Sequence, residues 1–301
     1  MKRRYFIKTT SASALFLGAP SLSYSLFSDK PRKHITILHT NDVHSHIDPF
    51  ESNAGEKANK GGVARRAAVI NKIREENPNT LLLDAGDIFQ GTPYFNFYGG
   101  ALELKLMSLM KYDAGTIGNH EFDNGIDGLL APLHHAKFDL INSNYDFSNT
   151  VMNGYTKPYQ IFEKGGIKIG VFGLGVQLEG LVTKSAYKET VYLDPIEIAQ
   201  DMSKLLKHEK HCDLVICLSH LGYEYTKTDQ VSDVKIAQNT KDIDLIIGGH
   251  THTFLEKPTE IENAIGKTVL VNQVGCHGLY LGRVDFYLEE SQKNNGESLS
   301  I

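Results

Sequence analysis

The chain has 301 residues, of which 41% are apolar and 22% are charged, and its formal net charge is −5 at pH 7. This composition is that of a globular protein with a substantial core, and it excludes a fibrous or a disordered chain. The net negative charge argues against a nucleic-acid polymer as the partner, because its phosphates would be repelled.

The first residues have the pattern of an export signal. A basic head at residues 2–8 is followed by an uncharged stretch that is rich in Ala, Ser and Leu. The adjacent Arg3 and Arg4 resemble the twin-arginine type of signal. We therefore expect residues 1–28 to direct the protein to the periplasm or otherwise out of the cell. Because the stretch contains Pro20 and many serines, we do not expect a stable membrane span.

After this segment, apolar strand-like runs alternate with segments of helical period. The runs typical of strands are His34–His39, Thr80–Leu83, Gly115–Gly118, Phe138–Asn142, Ile167–Leu174, Asp213–Leu218, Asp242–Ile247, Thr268–Asn272 and Arg283–Leu288. The segments typical of helices are Gly62–Glu76, Ala101–Lys111, Ile126–Ala136, Ile196–His208 and Val234–Thr240. This alternation indicates an α/β fold with a largely parallel core. We expect one domain over residues 33–290, followed by a polar tail at residues 291–301 that frays.

Polar motifs follow five of the predicted strands. In open α/β sheets the carboxyl ends of the strands meet in one crevice, so we expect these motifs to converge. Their side chains include seven candidate metal ligands. The candidates are Asp42, His44, Asp87, Asn119, His220, His250 and His252. Asp42 and His44 are spaced D-x-H, which in an extended backbone would place both side chains on one face.

The type and number of these candidates predict two divalent ions. Asp, Asn and His side chains without Cys suit Zn²⁺, Mn²⁺ or Fe. Seven ligands are too many for one ion, which needs about four, and they suit two ions that share a carboxylate. Two ions about 3.5–4 Å apart can hold both a hydroxide nucleophile and a phosphoryl oxygen, so the motifs predict metal-assisted hydrolysis.

In order and spacing, the motifs resemble those of the calcineurin-like metallophosphatases, and in particular those of the 5′-nucleotidase branch. The stretches that carry the resemblance are ILHTNDVHSHID, GGVARR, LLLDAGDIFQGTP, YDAGTIGNHEFDNG and GGHTHT, and the match runs from about Ile35 to Glu289. The resemblance implies the metallophosphatase fold, an αββα sandwich of two mixed β-sheets flanked by helices.

The resemblance also implies how the ligands divide between two metal ions, with Asp87 bridging them. The first ion would be held by Asp42, His44 and His252, and the second by Asn119, His220 and His250.

Residues beside the ligands receive roles from the same resemblance. His120 would face the phosphate and stabilise charge in the transition state or on the leaving group, and Asp123 would orient it. Asn41 is a candidate for supporting the first ligand. From position alone, His46, which follows the D-x-H pair, is a candidate for contacting substrate, and His277, which follows a predicted strand, is a further functional candidate. The remaining histidines are expected at the surface or at strand ends: His34, His39, His134, His135, His208 and His211.

The expected function is that of an exported phosphoesterase that hydrolyses phosphate monoesters, 5′-nucleotides in particular. Two alternatives stay open: an enzyme for another anion (a cyclic-nucleotide phosphodiesterase or a thiosulfohydrolase), and a non-catalytic metal-binding subunit. In full-length 5′-nucleotidases a second, C-terminal domain stacks on the base. We expect a separate polypeptide to supply that domain here, docking near the metal cleft beside the aromatic segment Tyr94–Tyr98.

Overall fold

A computed structural model shows the architecture of the chain, and it describes residues 33–226, 230–288 and 294–301. The expected export signal lies outside these residues. The strands are β1 (His34–Thr40), β2 (Thr80–Asp84), β3 (Ala114–Gly115), β4 (Asp139–Ile141), β5 (Tyr145–Asp146), β6 (Thr156–Lys157), β7 (Tyr159–Lys164), β8 (Ile167–Leu174), β9 (Val191–Tyr192), β10 (Leu214–Ser219), β11 (Leu245–Gly248), β12 (Thr259–Glu262), β13 (Thr268–Asn272), β14 (Tyr280–Tyr287) and β15 (Asn295–Ser300).

The α-helices are α1 (Val63–Glu76), α2 (Pro93–Tyr98), α3 (Ala101–Leu109), α4 (Gly125–Leu130), α5 (Lys184–Tyr187), α6 (Pro195–Lys204) and α7 (Asp233–Asn239). Short 3-10 turns occur at Gly55–Lys57, His120–Phe122 and Leu133–His135, and a π-helical turn, Leu205–Glu209, continues α6. Among the residues that the structure describes, no helix is both long and apolar enough to cross a bilayer.

Two mixed sheets form the centre of the molecule. The first has the strand order β15-β14-β1-β2-β3-β4-β6, and the second has the order β12-β13-β11-β10-β8-β7. In the first sheet β1, β2, β3, β4 and β6 are parallel, whereas β14 pairs antiparallel with β1 and β15 pairs antiparallel with β14. In the second sheet β8, β10, β11 and β13 are parallel, and the edge strands β7 and β12 are antiparallel.

Alternating side chains along the strands build three apolar layers. On β1, Ile35 and Ile37 belong to the core between the two sheets, whereas Leu38 packs in the core beneath the helices of the first sheet. On β8, Val171 joins the inter-sheet core, and Phe172 joins the core that includes α6 and α7. Burying one such side chain contributes about 1.5–3 kcal/mol. The layers therefore follow the order helices, sheet, sheet, helices, and the predicted αββα sandwich is confirmed.

Most predicted elements occur close to their predicted positions, but one helix is shorter. The strands predicted at Ile167–Leu174 and Thr268–Asn272 have the observed bounds of β8 and β13. The helix predicted over Ile126–Ala136 ends as α4 at Leu130. Pro132 explains this end, because proline lacks the N–H that would continue the hydrogen-bond pattern of the helix.

The prediction that the last residues fray is wrong for their second half. Strand β15 pairs with β14 from Tyr280 opposite Ser300 to Asp285 opposite Asn295. Ile301 is 7% exposed and belongs to the core on the helix side of the first sheet. One buried apolar side chain and a full ladder of backbone hydrogen bonds thus hold a segment whose composition is polar, and the sheet continues beyond residue 290.

Of the two positions predicted for His39, the strand end is the observed one, since this residue is the second-last of β1 and does not lie at the surface. His39 is fully buried, and Asn272 of the other sheet lies with its Nδ2 3.0 Å from His39 Nε2. Gly282 makes room for the ring, because a Cβ at that position would overlap it. Burial lowers the pKa of His39 to about 3, so the ring is neutral at physiological pH.

Candidate metal centre

The seven predicted ligands lie in loops at the carboxyl ends of five parallel strands. In the first sheet these loops follow β1, β2 and β3, and in the second sheet they follow β10 and β11. In that order the residues are Asp42 with His44, Asp87, Asn119, His220, and His250 with His252. Both sheets therefore supply ligands to one edge of the sandwich.

The side chains of Asp42, His44 and His252 form a first group, in which the ligand atoms all lie within 4.8 Å of one another. The Nε2 of His252 lies 3.3 Å from Asp42 Oδ1 and 2.9 Å from His44 Nε2. Asp42 is fully buried, and its two oxygens also accept the backbone N–H of His250 at 3.0 and 3.1 Å.

The second group consists of Asp87, His220 and His250. Asp87 Oδ2 lies 3.0 Å from His220 Nε2 and 3.9 Å from His44 Nε2, so this carboxylate lies between the two groups. The Oδ1 of Asn119 lies 2.9 Å from His250 Nδ1, which places the predicted amide ligand beside the second group.

The donor atoms in these groups fit divalent cations. The Nδ1 atoms of His44 and His220 lie 3.2 and 2.7 Å from the carbonyl oxygens of Phe89 and Ala85, so both Nδ1 atoms donate protons. In a neutral ring the Nε2 atom then carries a lone pair. His220 Nε2 is buried and lies 3.0 Å from Asp87 Oδ2. Lone pairs and carboxylate oxygens that converge in this way repel one another unless a cation lies between them.

The pKa values show the same need for positive charge. Burial lowers the pKa of His220, but the carboxylate of Asp87 outweighs burial and raises it to about 10. A hydrogen bond to Asp42 raises the pKa of His252 to about 10. Burial lowers the pKa of His250 to about 4, which leaves that ring neutral. A bound metal ion would replace the protons that the carboxylates attract.

Glu121 supports this site, and the sequence interpretation missed it. The side chain is buried, and its two oxygens accept four backbone N–H groups at 2.6–3.2 Å. The donors belong to Asp87, Ile88, Phe89 and Gly118. Because four donors occupy all the lone-pair directions, the carboxylate must be ionised, although burial raises its pKa to about 7. Nearby cations would stabilise that ionised form. The acidic residue in the run NHE was the only sequence signal for this role.

Two amide side chains brace the loops of the first group. Asn41 donates to Asp42 Oδ2 at 2.6 Å and accepts the N–H of Val274 at 3.0 Å, so it links the carboxylate to the loop after β13. Gln273 donates to the carbonyl of Gly249 at 2.6 Å and thereby holds the loop that carries two of the candidate histidine ligands. Asn41 was predicted to support the first ligand, whereas Gln273 was not identified from the sequence.

His120 lies at the partly exposed mouth of the site. Its backbone N–H donates to Asp87 Oδ1 at 2.9 Å, and its Nδ1 lies 2.9 Å from Asp123 Oδ2. This hydrogen bond to Asp123 raises the pKa of His120. Its ring stands edge-on to that of His44, with 5.2 Å between the centroids. His46 is in neither ligand group, and its ring contacts Phe50 instead.

The backbone brings the ligands together in a way that the sequence did not predict. Five of the seven have φ between 49° and 74°, in the left-handed region that non-glycine residues rarely adopt. They are Asp42, His44, Asp87, His250 and His252. The D-x-H pair therefore converges through left-handed turns, and the explanation by an extended backbone is wrong. Close approach also requires Gly118, since a Cβ there would overlap the Asp87 carboxylate and lie 2.7 Å from His220 Nε2.

Comparison with known proteins gives consistent matches over most of the chain. The sequence model of the calcineurin-like phosphoesterases matches residues 35–254. The venom 5′-nucleotidase of Naja atra is 35% identical over 288 residues, which cover 86% of this chain and 51% of that protein.

Solved structures agree with these matches. A 5′-nucleotidase precursor from Thermus thermophilus superposes with a TM-score of 0.81 at 34% identity, covering 89% of this chain and 54% of that one. A calcineurin-like phosphoesterase from Bacillus subtilis gives a TM-score of 0.73 at 30% identity and covers 90% and 91% of the two chains. The chain thus spans about half the length of the first two of these proteins.

Metal analysis of variants tests whether Asp87 is shared. Protein purified without chelator is expected to hold about two divalent ions per chain by elemental analysis. His252→Ala removes one ligand from the first group and should leave about one ion, whereas Asp87→Asn should weaken binding at both positions. His134→Ala, an exposed histidine away from the site, is the control and should keep two. A loss from Asp87→Asn no larger than that from His252→Ala would show that the carboxylate is not shared.

Proposed function

The chain belongs to the calcineurin-like phosphoesterase family, and from this premise we propose that it hydrolyses phosphate monoesters, 5′-nucleotides in particular. The observation that carries the proposal is the position of Asp87, whose carboxylate lies 3.0 Å from one imidazole nitrogen and 3.9 Å from another that belongs to the other ligand group. Two cations that share this carboxylate would form a dinuclear centre.

The ligand groups have a defined task in this proposal. One cation would be held by Asp42, His44 and His252, the other by Asn119, His220 and His250, and Asp87 would be shared between them. When bound, such cations polarise a phosphoryl oxygen and lower the pKa of an attacking water. Glu121 keeps the loops that carry Asp87 and Asn119 in place, so that the donor atoms need little reorganisation.

His120 serves the leaving group. Asp123 holds its Nδ1 and favours the protonated ring, so that a proton at Nε2 is available. The side chain is about one third exposed, which lets it reach an ester at the mouth of the site. His120 therefore donates a hydrogen bond or a proton to the oxygen that leaves phosphorus, and Asp123 fixes the ring for that step.

Base recognition is assigned to a separate polypeptide. One observation supports this part of the proposal: α2 presents two exposed aromatic side chains. Phe97 is 82% exposed and Tyr98 is 54% exposed, whereas Phe95 of the same helix is buried. We place the docking surface of that polypeptide on this face of α2.

Residues 1–28 are proposed as an export signal of the twin-arginine type, on the basis of the adjacent Arg3 and Arg4. Changing both arginines to lysine keeps the charge and should retain the protein inside the cell. Fractionation of cells that express either form measures this, and equal export of the two forms would contradict a twin-arginine signal.

A substrate panel tests the proposed activity. The purified chain, loaded with Mn²⁺, is expected to release phosphate from AMP and from an aryl phosphate, and to act weakly on cyclic nucleotides and on thiosulfonate esters. Faster hydrolysis of either of the last two would favour the corresponding alternative enzyme, and no hydrolysis of any would favour a non-catalytic subunit. A KM for AMP that does not fall when candidate partner proteins are added would make a separate base-binding polypeptide unnecessary.

His120→Asn tests the residue at the mouth of the site. The change removes the ionisable group but none of the proposed ligands, so kcat should fall about 10²–10⁴-fold while the metal content stays the same. His134→Asn is the control and should keep the parent rate. An unchanged kcat in His120→Asn would remove the role assigned to that residue.

Asp123→Asn tests how His120 is tuned, through the pH dependence of kcat. Activity that needs protonated His120 declines as the pH rises through the pKa of that ring. Since the hydrogen bond to Asp123 raises this pKa, its loss should move the alkaline limb of the profile to lower pH. Asp201→Asn, an exposed acid on α6, should leave the profile in place. An alkaline limb that stays put in Asp123→Asn contradicts the assignment.

A further inference from the structure

Three flat rings form a cluster outside the two ligand groups, which we name the aromatic rim: His46, Phe50 and His277. The rings of His46 and Phe50 are stacked, with 4.8 Å between centroids and 21° between planes. The ring of His277 lies 4.3 Å from that of His46 and stands edge-on to Phe50 at 5.9 Å. All three side chains are partly exposed, so they are not core packing alone.

The aromatic rim is continuous with the first ligand group. The His277 ring lies 5.9 Å from that of His44 and 6.1 Å from that of His252. The backbone N–H of His277 donates to the carbonyl of Asp42 at 2.7 Å. The ring of His44 also contacts that of His120, the proposed proton donor. The aromatic rim and His120 therefore both adjoin the same candidate ligand, His44.

The surrounding backbone holds the rim in place. His277 has a φ of 64°, and the glycine after it packs against the guanidinium of Arg66, leaving no room for a Cβ at Gly278. Phe50 is fixed by two backbone hydrogen bonds, from its N–H to Lys60 and from the N–H of Asn59 to its carbonyl. The rings are therefore preorganised, which reduces the entropy lost when a ligand binds.

The rim also carries local positive charge. The Lys57 ammonium lies 5.2 Å from the centroid of the Phe50 ring, within cation–π distance. In a chain of net charge −5, a flexible cation beside partly exposed rings favours an electron-rich planar group that is attached to an anion.

We propose that the aromatic rim binds the leaving group of the substrate when that group is planar and aromatic, such as a nucleobase or an aryl ring. The proposal rests on the proposed function, in which the ligand groups bind the phosphate and the rest of the ester extends beyond them. Stacking on aromatic side chains does not depend on the identity of the base, because every base has a π-face. The rim therefore separates aromatic from alkyl phosphate esters and leaves finer base recognition to other groups.

Binding of two unreactive probes tests the rim. Phenylphosphonate and methylphosphonate carry the same anionic group and differ in the ring, and calorimetry with the Mn²⁺-loaded chain measures their affinities. The parent chain should bind phenylphosphonate about tenfold more tightly. Phe50→Leu should lose most of this preference, and Phe50→Tyr, which keeps the ring, should retain it. His46→Leu gives a second variant with the same expected loss.

Phe254→Leu is the matched control. Phe254 lies two residues after His252, is 46% exposed and packs on Tyr280 with 4.2 Å between ring centroids, but it is outside the rim. Its loss should keep the preference for phenylphosphonate. Equal binding of the two probes by the parent chain, or an equal loss in Phe254→Leu and Phe50→Leu, overturns the assignment.

The outcome is distinguishable from failure of the proposed function. If the chain hydrolyses no phosphate ester but prefers phenylphosphonate, and this preference depends on Phe50, the proposal for the rim stands and the proposed function fails. If the chain hydrolyses AMP and glycerol phosphate with equal kcat/KM and binds both probes equally, the proposed function stands and the proposal for the rim fails.

Discussion

Repulsion between lone pairs is the constraint on which the rest of the structure depends. Asp87 Oδ2 lies 3.0 Å from His220 Nε2, and the Nε2 atoms of His44 and His252 face each other at 2.9 Å. Such a set of atoms is stable only when positive charge lies among them. The fold therefore has to hold the carboxylates and imidazoles of the site close together against their mutual repulsion. The hydrogen bonds around the site hold them there.

Backbone strain and side-chain braces offset each other around the site. Five of the candidate ligand residues adopt left-handed φ values, each of which costs on the order of 1–3 kcal/mol outside glycine. Glu121 accepts four backbone N–H groups from the loops after β2 and β3, and Gln273 and Asn41 tie together the loops after β1, β11 and β13. These contacts over-determine the loop conformations, so the strained positions persist. The strain is confined to the loops, while the strands behind them have ordinary pairing.

Much of the fold and of the site could be predicted from the sequence, for identifiable reasons. Strands such as β8 are covered on both faces and are therefore apolar throughout, and the ligand candidates could be recognised because each follows such a strand. The left-handed ligands could not be predicted, since tertiary hydrogen bonds rather than local propensity set their φ values. The role of Glu121 could not be predicted, because a carboxylate that accepts hydrogen bonds from backbone N–H groups has no characteristic spacing in the sequence. Strand β15 could not be predicted, because pairing with β14 stabilises it and its own residues are mostly polar.

The donor atoms come from both sheets, three of the loops from the first and two from the second. Between the sheets lies an apolar interface, which resists separation but has little directional preference. A pair of cations at this edge would cross-link the two sheets, so that neither sheet could move relative to the other without breaking coordination bonds. Loss of metal would then weaken the packing of the two sheets at this edge. The stability of the fold and the chemistry of the site would depend on the same few atoms.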